Sequence, residues 1–230
     1  MKKPVPTSVQ KRIQRARMIV IALAGVIVAI IAGFALYSLY GGDPDELAEG
    51  TQYRKIESAA PSAGPIRVTE FFSYACPHCA SFEPSVDEWA KSLPDDVSFE
   101  RVPVSYSDEW TMLAQTYYVL VRMRALEANH ARLFSAIHDN GRVFRTKEEL
   151  AEFVDGHDIT RAEFLTAFDS AETRRAMSDA ARRVQAYAIT SVPTIVVAGR
   201  WVVLPDVPRR DTLPVADQLI EKLRAERAAP

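Results

Sequence analysis

The chain has 230 residues, a formal net charge of −2 and 25% charged residues, so it carries no basic excess with which to hold nucleic acid. Two cysteines are too few for a multi-bridge disulfide scaffold. The length allows one domain of average size besides any membrane segment, and no internal repeat or low-complexity tract interrupts it.

Residues 1–17 contain Lys2, Lys3, Lys11, Arg12, Arg15 and Arg17 and no acid. Met18–Tyr40 follows as 23 residues without a charge, enough at about 1.5 Å per residue to cross a hydrocarbon core of about 30 Å. The expected organisation is a basic cytoplasmic tail (1–17), one transmembrane signal anchor (18–40) and an acidic tether (41–50) holding Asp43, Asp45, Glu46 and Glu49. By the positive-inside rule everything beyond Tyr40 lies outside the cytoplasm. A cleavable signal peptide is the alternative, but its apolar core is normally shorter and ends at a small-residue site, whereas this run ends Leu36-Tyr37-Ser38-Leu39-Tyr40. Either reading leaves the rest of the chain in a compartment where disulfides form and persist.

Beyond the tether, Gln52–Ser58 reads as a first strand and Ala59–Pro65 as a Pro/Ser/Gly loop. Ile66–Ser73, rich in β-branched and aromatic residues, reads as a buried strand. A helix from Cys76 to about Leu93 follows, with Phe82, Val86, Trp89 and Leu93 at helical spacing and a kink expected at Pro84. Val97–Val104 completes a βαβ unit, and Pro103 suggests an edge strand or a distorted strand end there.

From Asp108 to about Tyr187 the pattern is helical, opening with Trp110, Leu113, Tyr117, Leu120 and Val121 on one face. Thr146 with Glu149 and Thr160 with Glu163 both fit capping boxes. His130, His138 and His157, scattered through this region, read as surface histidines. The β pattern resumes as a hairpin, Thr194–Ala198 and Trp201–Leu204, and Asp211–Arg227 is a final amphipathic helix. The expected class is α/β, a mixed sheet flanked by helices with an inserted helical subdomain at about 108–187.

Cys76-Pro77-His78-Cys79 carries the chemistry. At the first turn of a helix, unpaired backbone N–H groups and the macrodipole stabilise a thiolate. Cys76 is then the exposed sulfur that attacks or is attacked, and Cys79, one turn on and shielded, is the resolving one. Pro77 suits a helix start, and His78 adds a donor and a positive charge. The rival reading is a zinc site, which needs four ligands and usually a second C-x-x-C; none exists here. No cofactor or metal is expected.

Glu70-Phe71-Phe72-Ser73-Tyr74-Ala75-Cys76-Pro77-His78-Cys79, with the later Ser191-Val192-Pro193-Thr194, resembles bacterial DsbA-type thiol:disulfide oxidoreductases. The resemblance extends over residues 50–226, while the anchor resembles membrane-tethered variants. It implies a thioredoxin fold over residues 51–230, with Cys76 as nucleophile, Cys79 as its partner, and Pro77 and His78 tuning the potential. It further implies that Val192 and Pro193 face the site across a cis peptide bond and contact substrate. Glu70 becomes the buried carboxylate that exchanges a proton with Cys79, its alternative being a solvated strand-end acid. Arg101 stands where relatives carry a lysine, and a Glu70–Arg101 pair is expected to hinder that exchange.

The implied activity is oxidation of folding secreted proteins with free thiols, by a monomer anchored in the bacterial inner membrane with its catalytic domain in the periplasm. A DsbB-like quinone reductase would reoxidise it. A reductase or isomerase fed by a DsbD-like reductant, and a non-catalytic chaperone or metal-binding module, stand as alternatives.

Overall fold

The structure, a computed structural model, describes residues 7–40, 47–56 and 64–229. The chain divides after Glu46 into two units. The first contains one helix, α1 (Thr7–Tyr40), unbroken through the apolar run because no proline interrupts it. Its large apolar side chains from Met18 to Ile31 are exposed, Met18 at 67%. No helix among the described residues is long and apolar enough to cross a membrane. The described side chains of the expected Met18–Tyr40 span stop at Gly33. Residues 1–6 of the expected tail and 41–46 of the expected tether lie outside the described residues.

The second unit begins earlier than the sequence suggests. Leu47 packs against its core, and the amide of Gly50 donates to the carbonyl of Tyr53 at 2.7 Å, so residues 47–50 belong to the domain and not to a tether. In chain order its elements are β1 (Tyr53–Lys55), β2 (Ile66–Phe72), α2 (Pro77–Ser92), β3 (Val97–Pro103), α3 (Asp108–Arg122), α4 (Leu126–His138), α5 (Lys147–Val154), α6 (Arg161–Phe168), α7 (Ala171–Ala186), β4 (Thr194–Val197), β5 (Trp201–Val203) and α8 (Arg209–Ala228). The five strands form one sheet in the order β1-β5-β4-β2-β3.

Only β2 and β3 run parallel, as a βαβ unit requires; β4 pairs antiparallel with β2 and with β5, and β1 with β5. β3 is one of the two edges, β1 being the other, and Pro103 there withholds no ladder bond from a further strand.

Strand alternation assigns the faces. Ile66, Val68, Ile195, Val197, Trp201 and Val203 pack with Phe82, Val86 and Leu219 from α2 and α8. Phe71, Val196 and Val202 point the other way and pack with Ala180 of α7. Helices therefore cover both faces of β2, so every residue of it but Arg67 is buried, Thr69 and Glu70 included. The insert, α3 to α7, builds its own core from Leu113, Leu120, Leu133, Phe134, Leu150 and Phe164. That core extends through Phe72 and Tyr74 to the two cysteines.

The capping expectations are half met. Thr160 and Glu163 make a reciprocal box at α6. At α5, Thr146 accepts from the amide of Glu149, but Glu149 turns back to the amide of Arg145 at 2.6 Å, one residue before the box position. Pro84 lies inside α2, which continues to Ser92.

Candidate active site

β2 delivers the chain to the site and Ser73-Tyr74-Ala75 turns it into α2. The turn is fixed by the amide of Cys76 donating to the carbonyl of Ser73 at 3.1 Å. Cys76 is the N-cap of α2 with extended backbone, and no side-chain cap takes its place; Pro77 occupies the first turn, where its missing N–H costs nothing. The Cys76 sulfur thus stands at the end of the helix where amides are unpaired.

Both cysteines are free thiols. Cys79 is fully buried; Cys76 is 6% exposed, less open than a solvent-facing sulfur. The reason is the loop before β4, whose Val192 carbonyl lies 3.6 Å from Cys76 Sγ and accepts from it. The Val192–Pro193 peptide is cis. Pro77 and His78 are exposed beside the pair.

The two sulfurs are electrostatically opposite. The hydrogen bond from the Cys79 thiol lowers the Cys76 pKa to about 6, helped by the amides of Cys79 and His78 and, least, by the His78 charge, against the opposing effect of burial. Cys79 is pushed far above the ordinary thiol range by that same bond, by burial and by the neighbouring Cys76 charge. The helix start therefore acts as the sequence implies, while the largest contribution is the partner thiol itself. His78 is a minor one.

In the reduced protein, the rate of Cys76 alkylation should rise with pH around a midpoint near 6. A midpoint in the ordinary cysteine range, about 8.5, would contradict the geometry.

Beneath the pair is a charged cluster. Glu70 is fully buried, which removes the solvated strand-end reading. It faces Arg101 in the β2–β3 register, and its Oε2 accepts from Arg101 Nε at 3.1 Å. Arg101 Nη2 donates to Glu83 Oε1 at 2.7 Å, and His130 Nε2 lies 3.1 Å from that oxygen. His130 Nδ1 meets the Tyr74 hydroxyl at 2.6 Å. Glu70 Oε1 has no hydrogen-bond partner among the described residues. Burial pushes Glu70 up to about 8 against the pull of Arg101, so the ion pair does not hold it ionised at neutral pH.

His130 corrects the surface reading: it is 8% exposed, because helical spacing places it with Leu133 and Phe134 on the buried face of α4. His138 reaches the Tyr74 carbonyl at 2.8 Å and is likewise part of the support behind the turn. Tyr74, Glu83 and His130 were thus missed as site residues. The signal was a polar residue on an apolar stripe: Glu83 follows Cys79 by one turn and sits between Phe82 and Val86. A cavity of about 630 Å³, lined by Glu83, Arg101, His130 and Leu126 among others, opens at this cluster. Among the described residues no three His, Cys, Asp or Glu side chains are grouped to hold a metal ion.

A low-pKa sulfur paired with a high-pKa one at a helix start, on a mixed sheet carrying a five-helix insert, defines a thioredoxin-fold thiol:disulfide oxidoreductase. The thioredoxin family model matches residues 60–210. The thiol:disulfide interchange protein DsbA of Azotobacter vinelandii is 39% identical over 205 residues, covering 86% of this chain and 96% of the relative. That of Pseudomonas aeruginosa PAO1 is 35% identical over 202 residues, covering 85% and 96%. The crystal structure of Pseudomonas aeruginosa DsbA superposes with a TM-score of 0.76 at 34% identity, covering 81% of this chain and 99% of that one. The chain belongs to the DsbA family of thiol:disulfide oxidoreductases.

Proposed function

We propose that this protein is a membrane-tethered dithiol oxidase that donates its Cys76–Cys79 disulfide to folding secreted proteins outside the cytoplasmic membrane. The observation that carries the direction is the polarised pair: a Cys76 thiolate stabilised in the fold favours the reduced enzyme, which makes the disulfide form a strong oxidant.

A substrate thiolate attacks Cys76 Sγ of the disulfide. The Cys76–Cys79 bond breaks, its electron pair goes to Cys79, and a mixed disulfide joins Cys76 to the substrate. Cys79 takes up a proton at once because its pKa is raised, and Glu70, protonated near neutral pH and close enough for its charge to act on Cys79, supplies it. A second substrate thiolate then attacks the substrate sulfur of the mixed disulfide. Cys76 leaves as a stable thiolate, so two substrate thiols have lost two electrons and the enzyme has gained them. Val192 and Pro193 flank the sulfur under attack and form the surface on which the substrate backbone lies. A DsbB-like quinone reductase removes the two electrons.

The tether reading rests on the uncharged run Met18–Tyr40, the basic residues before it and the acidic ones after it. Within α1 the described side chains from Met18 to Gly33 are apolar on every face, in keeping with that reading. A tether keeps the domain near a membrane partner and raises effective concentration.

One experiment tests direction and side together. In spheroplasts, a membrane-impermeant maleimide should label Cys76 only after a brief reduction, because the pair is external and held oxidised. Labelling without reduction would favour the reductase or isomerase reading; labelling only after the membrane is opened would sink the external assignment.

A further inference from the structure

Arg209 opens α8, directly after Pro208. A cation there meets the positive end of the helix macrodipole, an unfavourable place, and Arg210 stands beside it. Arg210 has Asp211 at 3.6 Å. Arg209 has no carboxylate within ion-pair distance among the described residues, and Asp206, exposed on the preceding loop, pairs with no cation there.

The Arg209 guanidinium reaches instead across to the catalytic turn. Its Nη1 donates to the carbonyl of His78 at 3.0 Å, and its carbon lies 5.7 Å from the centre of the Phe82 ring. The same side chain lines a small cavity with Pro193, Thr194, Leu204, Pro205 and Thr212. It therefore spans the space between the C-P-H-C turn and the Pro193 loop, where a chain covalently held on Cys76 has to pass. A guanidinium carries five N–H donors in a rigid fork, and the structure uses one; the residue is exposed.

We propose that Arg209 is a substrate-docking residue whose unused donors bind an acidic side chain lying a few residues from the reactive cysteine of the protein being oxidised. The inference rests on the oxidase reading and names a substrate preference within it. Thiol–disulfide exchange proceeds as already written, with no further reactant. The signature is charge selectivity, and His78, Arg210, Asp206 and Asp211, the other charged or titratable groups at this rim, stay constant in the test.

Two dithiol peptides differing only at the residues flanking one cysteine, Glu in one and Lys in the other, are oxidised by the full-length disulfide form in detergent micelles. The ratio of their kcat/KM values is the readout. Wild type should favour the Glu peptide about fivefold at low salt, the upper range for an exposed ion pair, with the ratio falling toward one as salt rises. Arg209→Lys should keep the preference, Arg209→Gln should abolish it and Arg209→Glu should invert it. The same ratio in wild type and Arg209→Glu would overturn the proposal, including the case where Arg209→Glu slows both peptides equally through loss of the His78 contact alone. Wild type that oxidises neither peptide would sink the oxidase reading and this inference with it.

Discussion

Cys76→Ser should reduce thiol oxidation to the uncatalysed rate, and Cys79→Ser should do the same for turnover while accumulating mixed disulfides on the protein. The asymmetry follows from position. Cys76 caps α2 and has its pKa lowered to about 6, so it is both the sulfur that a substrate reaches and the better leaving group. Cys79 is sealed in the core with Phe72, Tyr74 and Leu113. With Cys79 gone, attack on a substrate disulfide by Cys76 still forms the covalent complex, but the internal thiol that would release it is missing. Non-reducing gels of the two variants after acid quench read this directly. Complexes on Cys76→Ser and none on Cys79→Ser would reverse the assigned roles. Cys79→Ala, which leaves no donor at this position, removes the largest cause of the low Cys76 pKa, so its Cys76 should alkylate with a higher midpoint than wild type.

Much of this site could be read from the sequence, because the chemistry and the local structure share the same residues. A strand of Ile66, Val68, Phe71 and Phe72, a C-x-x-C and a helix with apolar positions every three or four residues place two sulfurs at a helix start with no tertiary information. The Pro193 loop, far along the chain, was assigned to the site by resemblance, and the structure brings it to Cys76 through the Val192 carbonyl.

What stayed hidden depended on tertiary packing. Alternation along β2 puts Glu70 on the face of Ile66 and Val68, but both faces of this strand are covered, so the pattern could not say whether Glu70 met a core or water. His130 sits on a helix whose apolar stripe is real, but its buried partners, Tyr74 in the turn before α2 and Glu83 on α2, lie 56 and 47 positions away in the sequence. Arg209 lies in a loop-to-helix junction with no periodic signal, and only the approach of α8 to α2 gives it the His78 carbonyl. The expected anchor is a different case, resting on charge and length alone, and the described side chains cover only part of that run.

Glu70→Gln should flatten the pH dependence of stability and leave the protein more stable than wild type at alkaline pH. Burial raises the folded pKa of Glu70 from 4.5 to about 8, so the fold prefers the neutral acid. A carboxyl whose folded pKa is raised contributes fully below the unfolded value and loses that contribution as pH climbs through the folded one. For Glu70 the window is therefore 4.5 to 8. At about 1.4 kcal/mol per unit, the loss across it is on the order of 5 kcal/mol.

Cys76 acts in the opposite sense. Its lowered pKa contributes above the ordinary thiol value and fades as pH falls through about 6, so wild-type stability sums a falling and a rising component. Comparing Glu70→Gln with wild type in the reduced state isolates the falling one, since Cys76 is common to both. Gln keeps the volume and a hydrogen-bond acceptor for Arg101, which also retains Glu83. Denaturant melts at pH 5 and pH 9 should give near-equal stabilities at pH 5 and a gain of several kcal/mol for Glu70→Gln at pH 9. A variant less stable than wild type at pH 9 would mean that the Arg101 pair outweighs desolvation and that Glu70 is ionised in the working enzyme. It would then have no proton to give Cys79 when the disulfide opens.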